Sequence, residues 1–233
     1  MYNDGGALAY FAFRVLAKYM GERLTKRAFA HLLKLAWYLV RTQDIPLVLH
    51  TPPSKGAVWG RAGVCSAWVG SSYGNAEDGL SYGGFVVTDN DGGALAWKCK
   101  AHEITTDNPG AQELVMATSC YKYVLAIRML LLDLRIHADP MGPTPLYTDS
   151  QILLDGSNCE KLAKSSRWLS SRYAMMRHGR ACGLIDPIKV KSEDNVAVIV
   201  TKPLTGGAFI RHRATILGLA HWKTAREDLL PVP

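Results

Sequence analysis

The first forty residues alternate apolar and polar side chains with a helical period. Residues 7–20 (ALAYFAFRVLAKYM) place apolar side chains three and four positions apart, and Gly21 is a natural stop. The segment from Thr25 to about Arg41 repeats the pattern with a broad apolar face. Together the two segments predict an N-terminal helical hairpin.

The pattern changes after residue 61, where short runs rich in strand-forming residues are separated by turns rich in Gly and Asn. The runs are GVCSAWVG, YGGFVVTD and GALAWKCK, and the turns contain SSYGNAEDG and DNDGG. Short apolar runs bounded by such turns are typical of consecutive antiparallel strands. We therefore predict a three-stranded meander.

The remainder of the chain predicts alternating helices and strands. Asp107 and Pro109 are an N-cap and a first-turn proline for a long helix that reaches about Ile136. A strand in PTPLYTDS, a helix over 159–180, a strand in PIKVKS, a helix near 194–201 and a last helix at about 207–219 follow. Strands followed by alternating helices and strands favour an α/β fold with one mixed sheet flanked by helices.

Composition narrows the class of protein. With 233 residues, 48% of them hydrophobic and 20% charged, the chain is neither a disordered tail nor a disulfide mini-protein. Its five cysteines include no C-x-x-C pair, which argues against a disulfide framework or a zinc site. The longest apolar stretches are interrupted before the roughly 20 residues that a membrane span needs, so we expect no membrane association.

The net charge of +7 is unevenly distributed, because residues 160–233 contain 13 Lys and Arg but six Asp and Glu. Basic residues recur along the predicted helix over 159–180: Lys161, Lys164, Arg167, Arg172, Arg177 and Arg180. Such a row can follow a nucleic-acid backbone, and it can equally be an ordinary solvated helix face. The start MYNDGG lacks the basic region of a secretory signal, so we expect an intracellular protein, nuclear or cytoplasmic.

Two carboxylates stand where an α/β fold gathers its functional site. Asp149 ends the predicted strand in LYTDSQ, and Glu113 lies near the start of the long helix before that strand. Strand ends and helix starts meet at one edge of such a sheet, and a pair of carboxylates there can hold a divalent metal. Taken alone, each residue is more typical of a turn or a solvated first helical turn.

Eight segments together resemble the ribonuclease H region of a copia-type retrotransposon Pol polyprotein, with the end of its reverse-transcriptase part. They are AFAHLLKLAWYLVRTQDIPLVL, GVCSAWVG, LSYGGFVV, GALAWKCK, AQELVMA, PLYTDSQ, SSRYAMMRHG and EDNVAVIVTKPL. The resemblance implies a ribonuclease H-like mixed sheet, with an antiparallel meander plus parallel strands flanked by helices.

The resemblance also implies a division of the chain into segments. Residues 1–50 are similar to the end of the reverse-transcriptase region, and 51–62, rich in Pro and Gly, form a linker. Residues 63–219 correspond to the ribonuclease H-like domain, and 220–233 form a C-terminal tail.

Enzymes of that family hold two Mg²⁺ ions roughly 4 Å apart with four carboxylates. The resemblance places Glu113 and Asp149 at two of the four positions, Ser66 at the position of the bridging Asp on the first strand, and Val198 at the position of the Asp in the family's ADIFTKPL. With half of the ligands missing, we expect Mg²⁺ to bind weakly or not at all. We therefore expect a catalytically inactive domain.

Three functions follow from these expectations. The first is an inactive ribonuclease H-like module that is structural or binds nucleic acid, either an RNA–DNA hybrid or duplex RNA. The second is an active Mg²⁺-dependent endoribonuclease with a rebuilt site. The third is a protein-interaction subunit, since the apolar N-terminal helices need a surface to cover them.

Overall fold

A computed structural model of the chain describes residues 25–49, 65–72, 81–89, 92–101, 109–134, 142–158, 169–204 and 206–219. Helix α1 spans Lys26–Arg41, α2 Pro109–Asp133, α3 Gln151–Asn158, α4 Ser170–Ala181 and α5 Gly206–Ile216. Strand β1 spans Cys65–Ser72, β2 Tyr82–Asp89, β3 Gly92–Ala101, β4 Thr144–Thr148 and β5 Ile185–Lys189.

The five strands form one mixed sheet in the order β3-β2-β1-β4-β5. The meander β1-β2-β3 is antiparallel, with Cys65 opposite Asp89 and Ser72 opposite Tyr82 in the first pair. Strands β4 and β5 are added in parallel on the other side of β1. This confirms the predicted fold class, a ribonuclease H-like mixed sheet flanked by helices.

Both faces of the sheet are covered, because alternate residues of the central strands pack in opposite directions. On one face Ala67, Val69 and Phe85 pack with Leu114 of α2. Helix α2 contacts β1 and β2, and α3 and α4 pack against α2 on the same face. On the other face Val86 packs with the 3₁₀ turn Val196–Val200 and with Ile216 of α5; a second 3₁₀ turn, Ser192–Asp194, precedes the first and is exposed. The sheet is therefore the middle of three layers.

Helix α2 is apolar around much of its circumference. By length and composition, residues Gly110–Asp133 could span a bilayer, with a mean hydropathy of 1.4. This was not predicted from the sequence, whose apolar stretches we expected to be too short for it. The side of α2 that includes Leu114, Ala117 and Val124 is buried against the sheet. Core helices of soluble proteins meet the same length and composition criteria.

The predicted helix from Thr25 is present as α1. The Thr25 hydroxyl accepts a 3.1 Å hydrogen bond from the backbone N–H of Ala28, which caps the first turn. Of the predicted N-terminal hairpin only this second helix is tested, since residues 7–20 lie outside the described residues, as do the predicted linker 51–62 and tail 220–233.

Two predicted helices have different boundaries or geometry. The segment near 194–201 is not an α-helix, because Asn195 is extended (φ −75°, ψ 108°) and separates two short 3₁₀ turns. The β-branched run VAVIV has low helix propensity, which favours such short turns. The predicted helix over 159–180 is described only as α4, and a separate helix, α3, starts directly after Asp149.

Gly84 allows the 3₁₀ turn Val196–Val200 to lie directly on β2, so Gly84→Ala should destabilise the fold. A Cβ at this position would lie 2.7 Å from Cγ2 of Val200 and 2.9 Å from Cγ2 of Thr201. Overpacking of this kind costs about 1–3 kcal/mol, which urea denaturation would measure as a lower free energy of unfolding. Gly207→Ala in α5 is the control, because a Cβ there meets nothing within 4 Å. Equal stability of the two variants would contradict this packing.

Candidate functional site

The carboxyl ends of β1 and β4 lie side by side and define the candidate site. The parallel pairing sets Val69 opposite Thr148, and Asp149 follows immediately. The first turns of α2 pass under the same edge, because α2 packs across β1 and β2. Glu113 and Asp149, which are 36 positions apart in sequence, therefore lie close enough here for their charges to interact.

Glu113 is a buried carboxyl, with 8% of its surface exposed. The Ser71 hydroxyl of β1 donates a hydrogen bond to its Oε1 at 3.3 Å, while the buried Oε2 has no hydrogen-bond partner. The pKa of Glu113 is raised to about 7, chiefly by burial and also by the negative charge of Asp149, while the hydroxyls of Ser150 and Ser71 and the charge of Lys189 act in the opposite direction. Near neutral pH this carboxyl is therefore partly protonated.

Asp149 is held as an acceptor by three elements of the protein. Its Oδ1 accepts a hydrogen bond from the Asn195 amide at 3.1 Å, and its Oδ2 accepts a short one from the Ser192 hydroxyl. The Lys189 ammonium donates to the Asp149 backbone carbonyl at 2.6 Å. Both carboxylate oxygens are thus already engaged by donors of the chain itself.

Asn195 is the residue that sequence reasoning missed. It is fully buried, and its Nδ2 donates both to Asp149 and to the Val69 carbonyl, the latter at 2.8 Å. Its Oδ1 accepts from the backbone N–H of Ala197 at 3.1 Å, so the orientation of the amide follows from its partners. The available signal was an Asn directly before the run VAVIV, a typical capping position, but a cap does not reveal contacts to two distant strands.

The structure does not bring Ser66 to this pair of carboxylates. Side chains alternate along a strand, and Ser71 faces Glu113, so Ser66, five residues earlier, faces the opposite side of the sheet. The β1 residue aligned with the end of β4 on the Glu113 side is Val69. The structure therefore places Val69, three positions after Ser66, on the Glu113 face of β1 and opposite Thr148.

Val198 is half-buried and lies one 3₁₀ turn after Asn195. No hydrogen bond or charge links this side chain to either carboxylate. The polar group that meets Asp149 from this segment is the Asn195 amide. The Asn195 side chain, which contacts Asp149, therefore lies three residues before Val198 in the sequence.

The predicted row of basic residues is only partly described. Lys161, Lys164 and Arg167 lie outside the described residues. On α4, Arg172 and Arg177 are five residues apart, which separates them by about 140° around the helix. The buried Tyr173 and Met176 lie between them. The described arginines therefore do not form a single row on one flank.

Arg180 lies at the edge of the sheet opposite the site. The Leu184 N–H donates to the Gly179 carbonyl at 2.9 Å, and the Thr144 N–H donates to the Leu184 carbonyl at 3.0 Å. These bonds place the end of α4 at the amino ends of β4 and β5. The cations at the site edge are instead Lys189, at the end of β5, and Lys191, just beyond it.

The residues at the site do not fit a two-ion Mg²⁺ centre. Such a centre needs several carboxylate oxygens on both ions. In the described part of the chain no group of three or more His, Cys, Asp or Glu side chains could hold a metal. The site offers two carboxyls, one of them buried with a raised pKa and the other engaged by Asn195 and Ser192. A Lys ammonium already supplies positive charge here.

Glu113→Gln should remove a pH-dependent loss of stability. The pKa of Glu113 is about 7 in the fold and 4.5 as its ordinary value, so the folded state binds more protons between these values. The free energy of unfolding then falls as pH rises from about 4.5 through 7. We expect the variant to be more stable than the parent at pH 8, by at most about 3 kcal/mol, and similar to it at pH 4.

Thermal unfolding across this pH range measures the effect. Glu193→Gln is the matched control, since the Glu193 side chain is 70% exposed. A Glu113→Gln variant that tracks the parent at every pH would show that Glu113 titrates as an ordinary carboxyl.

The sequence matches no protein-family model and no curated protein. Similar solved structures include the N-terminal RNase H domain of a Mycobacterium tuberculosis protein, at 12% identity and a TM-score of 0.44, covering 65% of this chain and 97% of that one. The LC11 RNase H1 in complex with an RNA/DNA hybrid gives 14% identity, a TM-score of 0.43 and coverage of 59% and 93%.

A foamy viral protease-reverse transcriptase, also in complex with an RNA/DNA hybrid, gives 11% identity and a TM-score of 0.39. The match covers 70% of this chain and 24% of the viral one. The sequence identity to each of these chains is low. The fold of this chain, with an antiparallel β1-β2-β3 meander extended in parallel by β4 and β5, is ribonuclease H-like.

Proposed function

We propose that this chain is a retrotransposon-derived ribonuclease H-like domain that binds duplex nucleic acid without cleaving it. The observation that carries the proposal is the state of Asp149, whose two carboxylate oxygens accept hydrogen bonds from Asn195 and Ser192. A carboxylate used in this way is a structural acceptor within the protein. The sequence resemblance supports the retrotransposon origin and the choice of nucleic acid as the ligand.

The absence of cleavage follows from the ligands around that carboxylate. In the ribonuclease H mechanism two metal ions stabilise the attacking and leaving oxygens. Here the β1 residue opposite Thr148, which precedes Asp149, is the hydrocarbon Val69, and the side chain that contacts Asp149 from the segment after β5 is the amide of Asn195. Each 1.4 kcal/mol of lost transition-state stabilisation costs about tenfold in rate, so the loss of two charged ligands abolishes useful turnover.

Binding is supported by charge at the same edge of the sheet. The excess of basic residues lies in 160–233, and this segment supplies Lys189, Lys191 and Arg172. Lys191 is exposed and makes a long 3.9 Å ion pair with Glu193, which competes weakly with a phosphate. Arg172 lies in the first turn of α4, which runs antiparallel to β5, so it lies toward the site edge.

Lys191→Glu and Arg172→Glu should each weaken binding of an RNA–DNA hybrid, because a phosphate contact becomes a repulsion. Fluorescence anisotropy titrations at several salt concentrations measure the dissociation constant and its salt slope. We expect the parent to bind with a clear salt slope, and each reversal to lower that slope by about 1. Arg180→Glu, at the far edge, should have a smaller effect.

Lys122→Glu on α2 serves as a control for the change in net charge, since Lys122 is exposed on another surface. Binding without a salt slope, or equal losses from all four reversals, would contradict a nucleic-acid surface at the site edge. Parallel titrations with duplex RNA show whether the chain prefers duplex RNA or the RNA–DNA hybrid.

Restoring carboxylates at the positions that the geometry identifies should restore metal-dependent cleavage. We expect the double variant Val69→Asp/Asn195→Asp to cleave a labelled hybrid in Mg²⁺, because four carboxylates would then surround one site. The matched control is Ser66→Asp/Asn195→Asp, whose new β1 carboxylate faces the other side of the sheet. Circular dichroism spectra are the check that both variants fold.

Cleavage by the Ser66 variant in place of the Val69 variant would overturn the assignment of the site. Cleavage by the parent chain that disappears in Asp149→Asn would establish instead an active nuclease with a rebuilt site. Folded but inactive Val69→Asp/Asn195→Asp protein would show that these two positions do not complete the ligand set.

A further inference from the structure

Lys189 lies at the same edge and on the same face of the sheet as Glu113. The parallel registers set Val69 opposite Thr148 and Thr148 opposite Lys189, so these residues form one row across the carboxyl ends of β1, β4 and β5. Ile185, four residues earlier on β5, belongs to the core on the α2 side, and side chains alternate along a strand, so Lys189 also lies on the α2 side. The carboxyl pair therefore has a lysine as its neighbour on the next strand.

The Lys189 ammonium reaches across to the end of β4. It donates a hydrogen bond to the Asp149 carbonyl at 2.6 Å, a contact between residues 40 positions apart in sequence. Burial chiefly, and the charge of Asp149 as well, raise the pKa of Glu113, while the positive charge of Lys189 lowers it. Geometry and electrostatics therefore agree that one cation of the protein lies beside the two carboxyls.

Lys189 keeps hydrogen-bonding capacity for a ligand. A lysine ammonium carries three N–H donors, and in the described part of the chain this one makes a single hydrogen bond and no ion pair. The residue is exposed. Two cations further along the chain are already paired, Lys191 with Glu193 at 3.9 Å and Arg211 with Asp194 at 3.4 Å. Lys189 therefore has two donors left for an anion.

The carboxyl pair has little left to offer a divalent metal. Both Asp149 carboxylate oxygens accept hydrogen bonds, from Asn195 and Ser192, and the buried Glu113 has a raised pKa. Mg²⁺ binding would require charged oxygens freed from these donors, and it would bring a second positive charge next to the Lys189 ammonium. A tethered ammonium, by contrast, is present at every metal concentration.

We infer that the Lys189 ammonium binds a phosphate of the duplex directly at this edge, so that binding needs no divalent metal. The inference rests on the proposed function, since it names the group that receives one phosphodiester. Lysine is a common phosphate ligand that acts as a point charge. An ammonium has no open coordination position with which to activate a water molecule, so a phosphate held in this way stays uncleaved.

A purely structural role for Lys189 fits less well. An exposed hydrogen bond to a backbone carbonyl exchanges readily with water, and it needs neither a positive charge nor a long side chain. If Lys189 only held the Asp149 carbonyl, removing its charge would leave nucleic-acid binding unchanged in a folded protein. The two roles therefore predict different results for variants that keep or remove the charge.

Hybrid binding with and without Mg²⁺ tests whether a metal is needed. The full chain is titrated into a labelled RNA–DNA hybrid and followed by fluorescence anisotropy, in Mg²⁺ or in EDTA at matched ionic strength. We expect the affinity in EDTA to be at least as high as in Mg²⁺, because Lys189 supplies the cation and Mg²⁺ competes for the phosphates.

Variants of Lys189 test the phosphate contact. Lys189→Met should weaken hybrid binding about tenfold and lower the salt slope by about 1, because one phosphate contact is lost. Lys189→Arg, which keeps the charge, should bind within about threefold of the parent with an unchanged slope. Lys122→Met, which removes an exposed charge on α2, is the matched control and should change binding little. Circular dichroism checks folding, and Lys189→Gln replaces Lys189→Met if the latter is unfolded.

The possible outcomes separate this inference from the proposed function. Hybrid binding that appears only with Mg²⁺, or that is the same in Lys189→Met as in the parent, would overturn the inference and leave the proposed function standing. Equal losses in Lys189→Met and Lys189→Arg would also overturn it, since they indicate a structural role of the lysine. Absence of hybrid binding by the parent in both buffers would overturn the proposed function and the inference with it.

Discussion

The candidate site depends on the parallel pairing of β1 with β4, and hydrogen bonds from the Asn195 amide stabilise this pairing. That amide donates to the Val69 carbonyl on β1 and to the Asp149 carboxylate after β4, so one buried side chain links both strands to the segment after β5. Because these acceptors are buried or half-buried, loss of the donor would leave them unsatisfied, which costs more than the bond contributes. The site edge is therefore organised by hydrogen bonds of the protein itself.

Two carboxyls, Glu113 and Asp149, lie together at this edge of the sheet. The Asp149 carboxylate accepts two side-chain hydrogen bonds, and the Lys189 ammonium donates to the Asp149 backbone carbonyl. Glu113 has an unpartnered oxygen and a raised pKa, so protonation relieves the repulsion between the two groups. The Glu113 carboxyl can therefore be neutral near pH 7 beside Asp149, whose oxygens accept hydrogen bonds from the protein.

Much of the fold could be predicted from local pattern. The three strand-prone runs became the meander, and the carboxyls of Glu113 and Asp149 met as expected because helix starts and parallel strand ends share an edge. The structure places Ser66 on the face of β1 away from Glu113, a relation that depends on the register of β1 against β4, which the sequence comparison could not determine. The basic residues predicted to form one row over 159–180 do not lie on one side of α4, because a helical period does not indicate which side of the helix is buried.

By itself the sequence determined the alternation of elements, the two carboxyls, the uneven charge and the amphipathic pattern of α1, since each depends on residue types at short range. Only the tertiary structure decided that Val69 stands opposite Thr148, that Asn195 reaches Asp149 from a distant turn, and that Trp37 lies on the exposed side of α1. The physical reason is that these relations join segments far apart in the chain. A shift of an odd number of residues in strand register exchanges the two faces, and packing of the whole core selects the register.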